Sequence, residues 1–403
     1  VVVSPTEVAE AAKRLEGVIR PTPAAASAVL SRLLGRPVLV KPEHFQRTGS
    51  FKIRGAYNRV AVLADGGRHT EVVAASAGNH AQGVALAASL CGLPSRVFMP
   101  VGASLPKVEA TRSYGAVVEL CGSSVDDAIE AARGYVAGHP SAFYVPPFDD
   151  PLVIAGQATI GLELAAEVPE AETVVVPCGG GGLMGGVAAG LRSAGSGARV
   201  VGVQAAGAPP MVAALAQGRP VDVGPVETMA DGIALRSVSE LTLEHARQLV
   251  DEVVTVNEEE ISRAVLLLLE RCKWVVEPAG AVGLSALLAG QVAGTGPVVI
   301  VVSGGNVDPL LLMRLIEHGL TAAGRYFMVR VVLADKPGSL ASLTAALGEL
   351  GLNLLTVEHR RSGAPIGVSE VEVVITLETR DPAHRDRIVP ALQERGFRAE
   401  AYR

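Results

Sequence analysis

A lysine set between two apolar residues and a run of four glycines are the features of this sequence with the plainest chemical meaning. Gly179, Gly180, Gly181 and Gly182, followed by Leu183, come directly after the β-branched run 173–177. Where a strand ends and a helix begins, such residues leave backbone N–H groups free to approach an anion, and the helix dipole favours negative charge. No Gly-Lys-Ser/Thr follows, which excludes a nucleoside-triphosphate loop, and no dinucleotide fingerprint with a downstream acid is present. A phosphate monoester suits this chemistry, although glycines alone would also serve a close helix–strand crossing. Lys52 is flanked by Phe51 and Ile53 and follows Ser50, a candidate helix cap. Desolvated in that setting, a lysine is held partly neutral and can form a Schiff base with a carbonyl. Taken alone, such a lysine is more commonly an exposed helix residue. Two polar loops complete the set, Ser76-Ala77-Gly78-Asn79-His80 and Ser303-Gly304-Gly305-Asn306.

These groups need a frame. From residue 71, β-branched runs alternate with helical segments: strands are expected at 71–75, 96–100, 116–120, 142–145, 173–177, 199–204 and 298–302. Helices are expected at 83–90, 124–137, 154–167, 182–193 and 258–271. Such alternation predicts an α/β fold with parallel sheets, whose ligands bind where strands end and helices begin. Ser4 with Pro5 and Glu7, and Asn257 with Glu260, read as helix-capping boxes. After Gly324 the rhythm changes to strand 327–333, helix 339–350, strands 353–360 and 369–377, helix 382–394 and strand 397–401. That βαββαβ order is the ferredoxin-like arrangement, with 320–324 as its linker.

Composition narrows the function. Net charge is -6 and no basic stripe appears, which argues against a nucleic-acid partner. Cys91, Cys121, Cys178 and Cys272 form no CxxC pair, so reduced thiols are expected, with no metal site and no disulfide framework. The uncharged stretch 279–307 is long enough to raise a membrane question, but Gly290, Gly294, Gly296 and Pro297 divide it into a helix-like and a strand-like half. No charged segment followed by an apolar one opens the chain, and a cytoplasmic protein is expected. His44, His80 and His245 lack the companions of a triad or ligand set, and Cys178 reads as packing.

From about Val8 to Leu320 the chain resembles the fold type II pyridoxal-phosphate enzymes, and within them the threonine dehydratase (threonine ammonia-lyase) group. The resemblance rests on several motifs in one order: Arg20-Pro21-Thr22-Pro23, Ser50-Phe51-Lys52-Ile53-Arg54-Gly55-Ala56, the loop at Ser76 through Gly83, Ala155-Gly156-Gln157, the tetraglycine run, Ala230-Asp231-Gly232, Glu277-Pro278-Ala279-Gly280-Ala281 and Ser303-Gly304-Gly305-Asn306. It implies two open, twisted, mostly parallel sheets in a catalytic domain of residues 1–320, a small subdomain (about 46–146) being inserted in the larger one. The implied cofactor is pyridoxal 5'-phosphate. Lys52 would be its Schiff-base lysine, Gly179, Gly180, Gly181, Gly182 and Leu183 would hold its phosphate, and Phe51 would lie against its ring. Asn79 would bond the ring hydroxyl and Ser303 the ring nitrogen. Ser76, Ala77, Gly78, Asn79 and His80 would receive the substrate carboxylate. A serine at the ring nitrogen, in place of a carboxylate, favours β-elimination of water and ammonia from threonine or serine.

The sister activity, serine racemisation, uses a serine where this sequence has Ala77. Relatives that bind a divalent ion place an acid where this sequence has Gln204, and Ala205, Ala206, Pro209 and Pro210 follow rather than carboxylates, which tells against a metal. A non-catalytic amino-acid sensor is the reading from another class, and the intact motifs oppose it. The tail, with Asp335-Lys336-Pro337-Gly338-Ser339-Leu340, looks like an ACT domain over 326–403. That resemblance implies an amino-acid effector near Gly338, Leu340 and Asn353, and side-by-side pairing into a homodimer or homotetramer.

Overall fold

The structure is a computed structural model that describes residues 1–322, 325–361 and 366–402. The chain divides into two compact units, Val1–Asp308 and Pro309–Arg403. In chain order the first holds β1 (Ala25–Ala26), β2 (Val38–Lys41), β3 (Glu71–Ala75), β4 (Ser95–Met99), β5 (Val117–Leu120), β6 (Ala142–Tyr144) and β7 (Thr173–Pro177). It continues with β8 (Arg199–Ala205), β9 (Glu252–Val256) and β10 (Val298–Val301). The second unit holds β11 (Tyr326–Ala334), β12 (Asn353–Arg360), β13 (Glu370–Glu378) and β14 (Arg398–Ala401).

The larger sheet of the first unit runs β1-β2-β10-β7-β8-β9, parallel except for β1. Val174, Val175, Val176, Val299 and Val301 are fully buried, as expected of strands covered on both faces. The smaller sheet, β5-β4-β3-β6, is parallel throughout. Its own core gathers Val72, Ala74, Val84, Val97 and Met99. The second unit is an antiparallel sheet, β12-β13-β11-β14, packed through Val331, Leu343, Val373, Ile375 and Leu392 against its helices. This is the α/β architecture with a ferredoxin-like tail that the sequence predicts.

Several local expectations change. The strand series misses β1, β2 and β9, so the larger sheet is wider than the expected runs make it. The helix expected from residue 83 begins at Asn79 and the one expected from 154 begins at Pro151, where Asp150 accepts hydrogen bonds from the Leu152 and Val153 N–H groups. Ser50 is not a helix cap: it is extended (φ -163°), and the helix Lys52–Gly66 follows Phe51 without any side-chain cap. Leu320 to Ala322 end the helix Pro309–Ala322 and do not form a linker; the remainder of that segment, 323–324, lies outside the described residues. Both capping boxes form as read. The stretch 279–307 resolves into the helix Pro278–Leu288 and β10, and no described helix is long and apolar enough to cross a membrane.

Candidate active site

Each polar segment reaches the site through a strand. β3 delivers the loop at Ser76, β7 the tetraglycine run and β10 the Ser303 loop. Lys52 opens the helix Lys52–Gly66, anchored two residues on by Arg54. The Arg54 guanidinium is fully buried and donates to Glu43 Oε2 (Nε, 2.9 Å) and Oε1 (Nη2, 2.7 Å), to Glu163 on the helix Pro151–Glu167, and to the Thr22 and Thr159 hydroxyls. Lys41, also fully buried, pairs with Glu163 at 2.7 Å and Glu167 at 3.0 Å. Burial alone would lower the Arg54 proton affinity, and the Glu43 and Glu163 carboxylates reverse this and raise it. The start of the Lys52 helix is thereby tied to the segment after β2 and to the helix at 151–167.

A cavity of about 770 Å³ is lined by Lys52, Phe51, Ser76, Ala77, Gly78, Asn79, His80, Gly179, Gly180, Gly181, Gly182, Leu183 and Ser303. All the catalytic, cofactor and substrate residues expected from the sequence therefore meet in one place. Lys52 Nζ donates to the Pro147 carbonyl at 3.1 Å and lies 5.2 Å from the centre of the Phe51 ring. Burial pushes this amine down to about 8, opposed by the charge of Glu277. Gly181 is left-handed (φ 92°) at the start of the helix Gly182–Ser193 and supplies no side-chain cap. The first N–H groups of that helix lack intrahelical acceptors, which is what a phosphate needs. Phe148 packs on the loop so closely that a Cβ on Gly180 would stand 2.5 Å from its ring. Gln204, the residue weighed against a metal, braces the loop: its Nε2 donates to Gly179 O at 3.3 Å and its Oε1 accepts from the Met211 and Val212 N–H groups.

The loop after β3 starts the helix Asn79–Leu90, again without a side-chain cap. The Ser76 hydroxyl accepts from Gly78 N–H at 3.1 Å and so shapes the turn. His80 Nε2 donates to Val145 O at 2.8 Å, and burial drives the ring down to about 3, so it is neutral and structural. His44, its ring tilted against Phe45 and Trp274, is pushed down to about 4 by burial. His245 accepts from Val3 N–H and bonds the Leu241 carbonyl. Burial raises the Cys178 thiol to about 12, which leaves it unreactive. Among the described residues no group of three or more His, Cys, Asp or Glu gathers as a metal site would require.

The cavity also contains side chains to which sequence reading gave no role. Glu277 accepts from Asn79 Nδ2, and Asn306 Nδ2 donates to Asn79 Oδ1 at 2.8 Å. Lys107 pairs with Asp231 at 2.6 Å, and Arg236 with Asp222 at 2.7 Å and Asp126 at 3.6 Å. Glu277, Asp231 and Asn306 lie inside the motifs that carry the family resemblance; Lys107, Arg236 and Phe148 carry no such signal. In the tail, Gly338 is left-handed (φ 89°) and exposed at the start of the helix Ser339–Glu349, Leu340 packs against the tail core, and Asn353 Nδ2 donates to Glu378 at 3.0 Å.

An amine held partly neutral, facing an uncapped helix start across a cavity of this size, fits a phosphorylated aldehyde. The family comparison agrees: residues 15–304 match the pyridoxal-phosphate dependent enzymes and residues 327–397 the ACT domain, and the chain belongs to that enzyme family. It is 45% identical to the L-threonine ammonia-lyase of Thermotoga maritima over 97% of both chains. Among solved structures it resembles the processed threonine deaminase isoform 2 of Solanum lycopersicum (TM-score 0.74, 34% identity, 77% of this chain and 87% of that one). It resembles the maize serine racemase to the same TM-score, 0.74, at 32% identity over 80% of this chain and 99% of that one.

Proposed function

We propose that this chain is a pyridoxal-phosphate dependent ammonia-lyase that converts L-threonine to 2-oxobutanoate and ammonia, and L-serine to pyruvate and ammonia. The observation that carries the reading is the buried Lys52 amine facing the same cavity as the uncapped glycine loop, Asn79 and Ser303. Similarity to an L-threonine ammonia-lyase over 97% of both chains supports it. When bound, the cofactor supplies a carbonyl that takes up amines and a ring that accepts electrons. Gly179, Gly180, Gly181, Gly182 and Leu183 would hold its phosphate, Phe51 and Asn79 its ring, and Ser303 would offer the ring nitrogen a neutral hydroxyl. That uncharged partner would leave the ring a moderate electron sink, chemistry suited to loss of a β-hydroxyl. Backbone N–H groups of the loop from Ser76 to His80 take the substrate carboxylate. Lys52, its proton affinity lowered by burial, removes the Cα proton and hands a proton to the departing hydroxyl.

Racemisation is the sister reading, favoured by the likeness to the maize enzyme. It requires a second proton-bearing group, and Ala77 at the cavity wall has none. The same proposal assigns residues 1–320 to the catalytic domain, with a small subdomain about 46–146. It assigns 326–403 to an ACT domain that binds an amino acid near Gly338, Leu340 and Asn353 and pairs the chains into a homodimer or homotetramer in the cytoplasm. Full-length protein supplied with pyridoxal 5'-phosphate is offered L-threonine, L-serine and bulkier β-hydroxy amino acids, with 2-oxo acids and D-serine as readouts. 2-Oxobutanoate from threonine is expected; no 2-oxo acid from any of them would overturn the reading.

A further inference from the structure

Glu277 has no part in the proposed reaction, yet it forms part of the cavity wall. It is 4% exposed, and both its oxygens accept from Asn79 Nδ2, at 2.8 and 3.0 Å. The other end of the same amide, Asn79 Oδ1, accepts from Asn306 Nδ2, which donates in turn to the Thr48 carbonyl at 2.6 Å. Asn79 is therefore gripped at both ends of its amide. The room for the carboxyl comes from Gly304, where a Cβ would collide with Oε1. The helix Pro278–Leu288 begins directly after Glu277, and Glu277 N–H donates to Gly304 O at 3.2 Å, so the side chain is fixed at its own base.

We propose that Glu277 is a positioning residue of this site: it holds the Asn79 amide in one orientation and supplies the counter-charge that faces the Lys52 amine. This rests on the reading of Lys52 as the site of covalent attachment. The charged groups acting on Glu277 are Asp231 from the turn Asp231–Ile233, Lys107 from the helix Leu105–Ser113, and Lys52 itself. Burial pushes Glu277 up to about 7, repulsion from Asp231 adds to this, and Asn79, Lys107 and Lys52 pull the other way. Lys52 is lowered by burial and raised by Glu277. Each group thus favours the charged form of the other, so that ionised Glu277 opposes the effect of burial on Lys52. Asp231 acts one step further out: its charge favours the protonated form of Glu277 and thereby weakens the counter-charge at Lys52.

The experiment uses full-length protein stripped of cofactor. Pyridoxal 5'-phosphate is added at a series of pH values, the adduct is trapped with borohydride, and its position is read by mass spectrometry. The midpoint of the pH dependence of attachment at Lys52 is then compared between variants. Glu277→Gln keeps an acceptor for Asn79 and removes only the charge, so the midpoint should fall by about one unit. Asp231→Asn should move it the opposite way, because a more readily ionised Glu277 stabilises protonated Lys52. Midpoints unmoved in both variants would reduce Glu277 to packing and overturn the proposal. Should Glu277→Gln not fold, Asp231→Asn decides alone: an upward move supports the proposal and no move overturns it. A parent adduct at a lysine other than Lys52 is a separate result, and defeats the functional reading first.

Discussion

Arg54 offers the most demanding test of how the lysine is held. Its guanidinium and the Glu43 carboxylate are both fully buried, and Glu163 is partly so. Replacing it by methionine keeps much of the volume but leaves Glu43 with the Thr22 hydroxyl in place of two guanidinium hydrogen bonds, while Glu163 retains Lys41. Breaking a buried pair by removing one partner costs about 3–5 kcal/mol, because the remaining charge stays desolvated. Removing the second charge as well, in Glu43→Gln/Arg54→Met, should recover at least about 1 kcal/mol, since the two sites are in contact and their effects do not add. Arg54→Lys should fall between parent and Arg54→Met, having charge but no planar fork. The assay is urea denaturation followed by the fluorescence of Trp274, the sole tryptophan, which lies in the first unit and reports on it alone. A double variant no more stable than Arg54→Met would refute the reasoning, as it would mean that the orphaned carboxylate is not the source of the loss.

Three further outcomes are expected. Lys52→Ala should lose covalent cofactor attachment and at least about a thousandfold in turnover with the fold intact, since a positioned base alone is worth roughly 10²–10⁴; steady-state rates and the absorbance of the bound cofactor check this. Ala77→Ser places a hydroxyl at the cavity wall and should add D-serine formation, by chiral chromatography, to an elimination that persists. Gly338→Asp puts a negative side chain at an uncapped helix start and should erase a response to an added amino acid. Gly338→Asn, equally strained at φ 89° but uncharged, is the control, and the response it loses should be smaller.

What the sequence determined by itself was whatever depends on short range. Four glycines after a β-branched run, an uncapped helix start, a lysine between apolar neighbours and the βαββαβ rhythm each involve a few adjacent residues, and the strand series 71–75 and 173–177 came out at the stated bounds. Short or partly polar elements escaped. β2 has four residues and β9 only one that is buried, so neither makes a clear apolar run. Ser50 looked like a cap because serine commonly is one; the bridge between Ser50 and Gly304 holds it extended, and the helix starts without it. Tertiary structure alone decided which groups face one another. Glu277 and Asn79 are 198 residues apart, Lys107 and Asp231 are 124 apart, and Arg54 and Glu163 are 109 apart. Nothing local to either member of such a pair distinguishes a surface charge from a buried partner. That distinction comes from desolvation, which exists only once the chain has folded around the side chains, and it is desolvation that pushes Lys52 down to about 8 and Glu277 up to about 7.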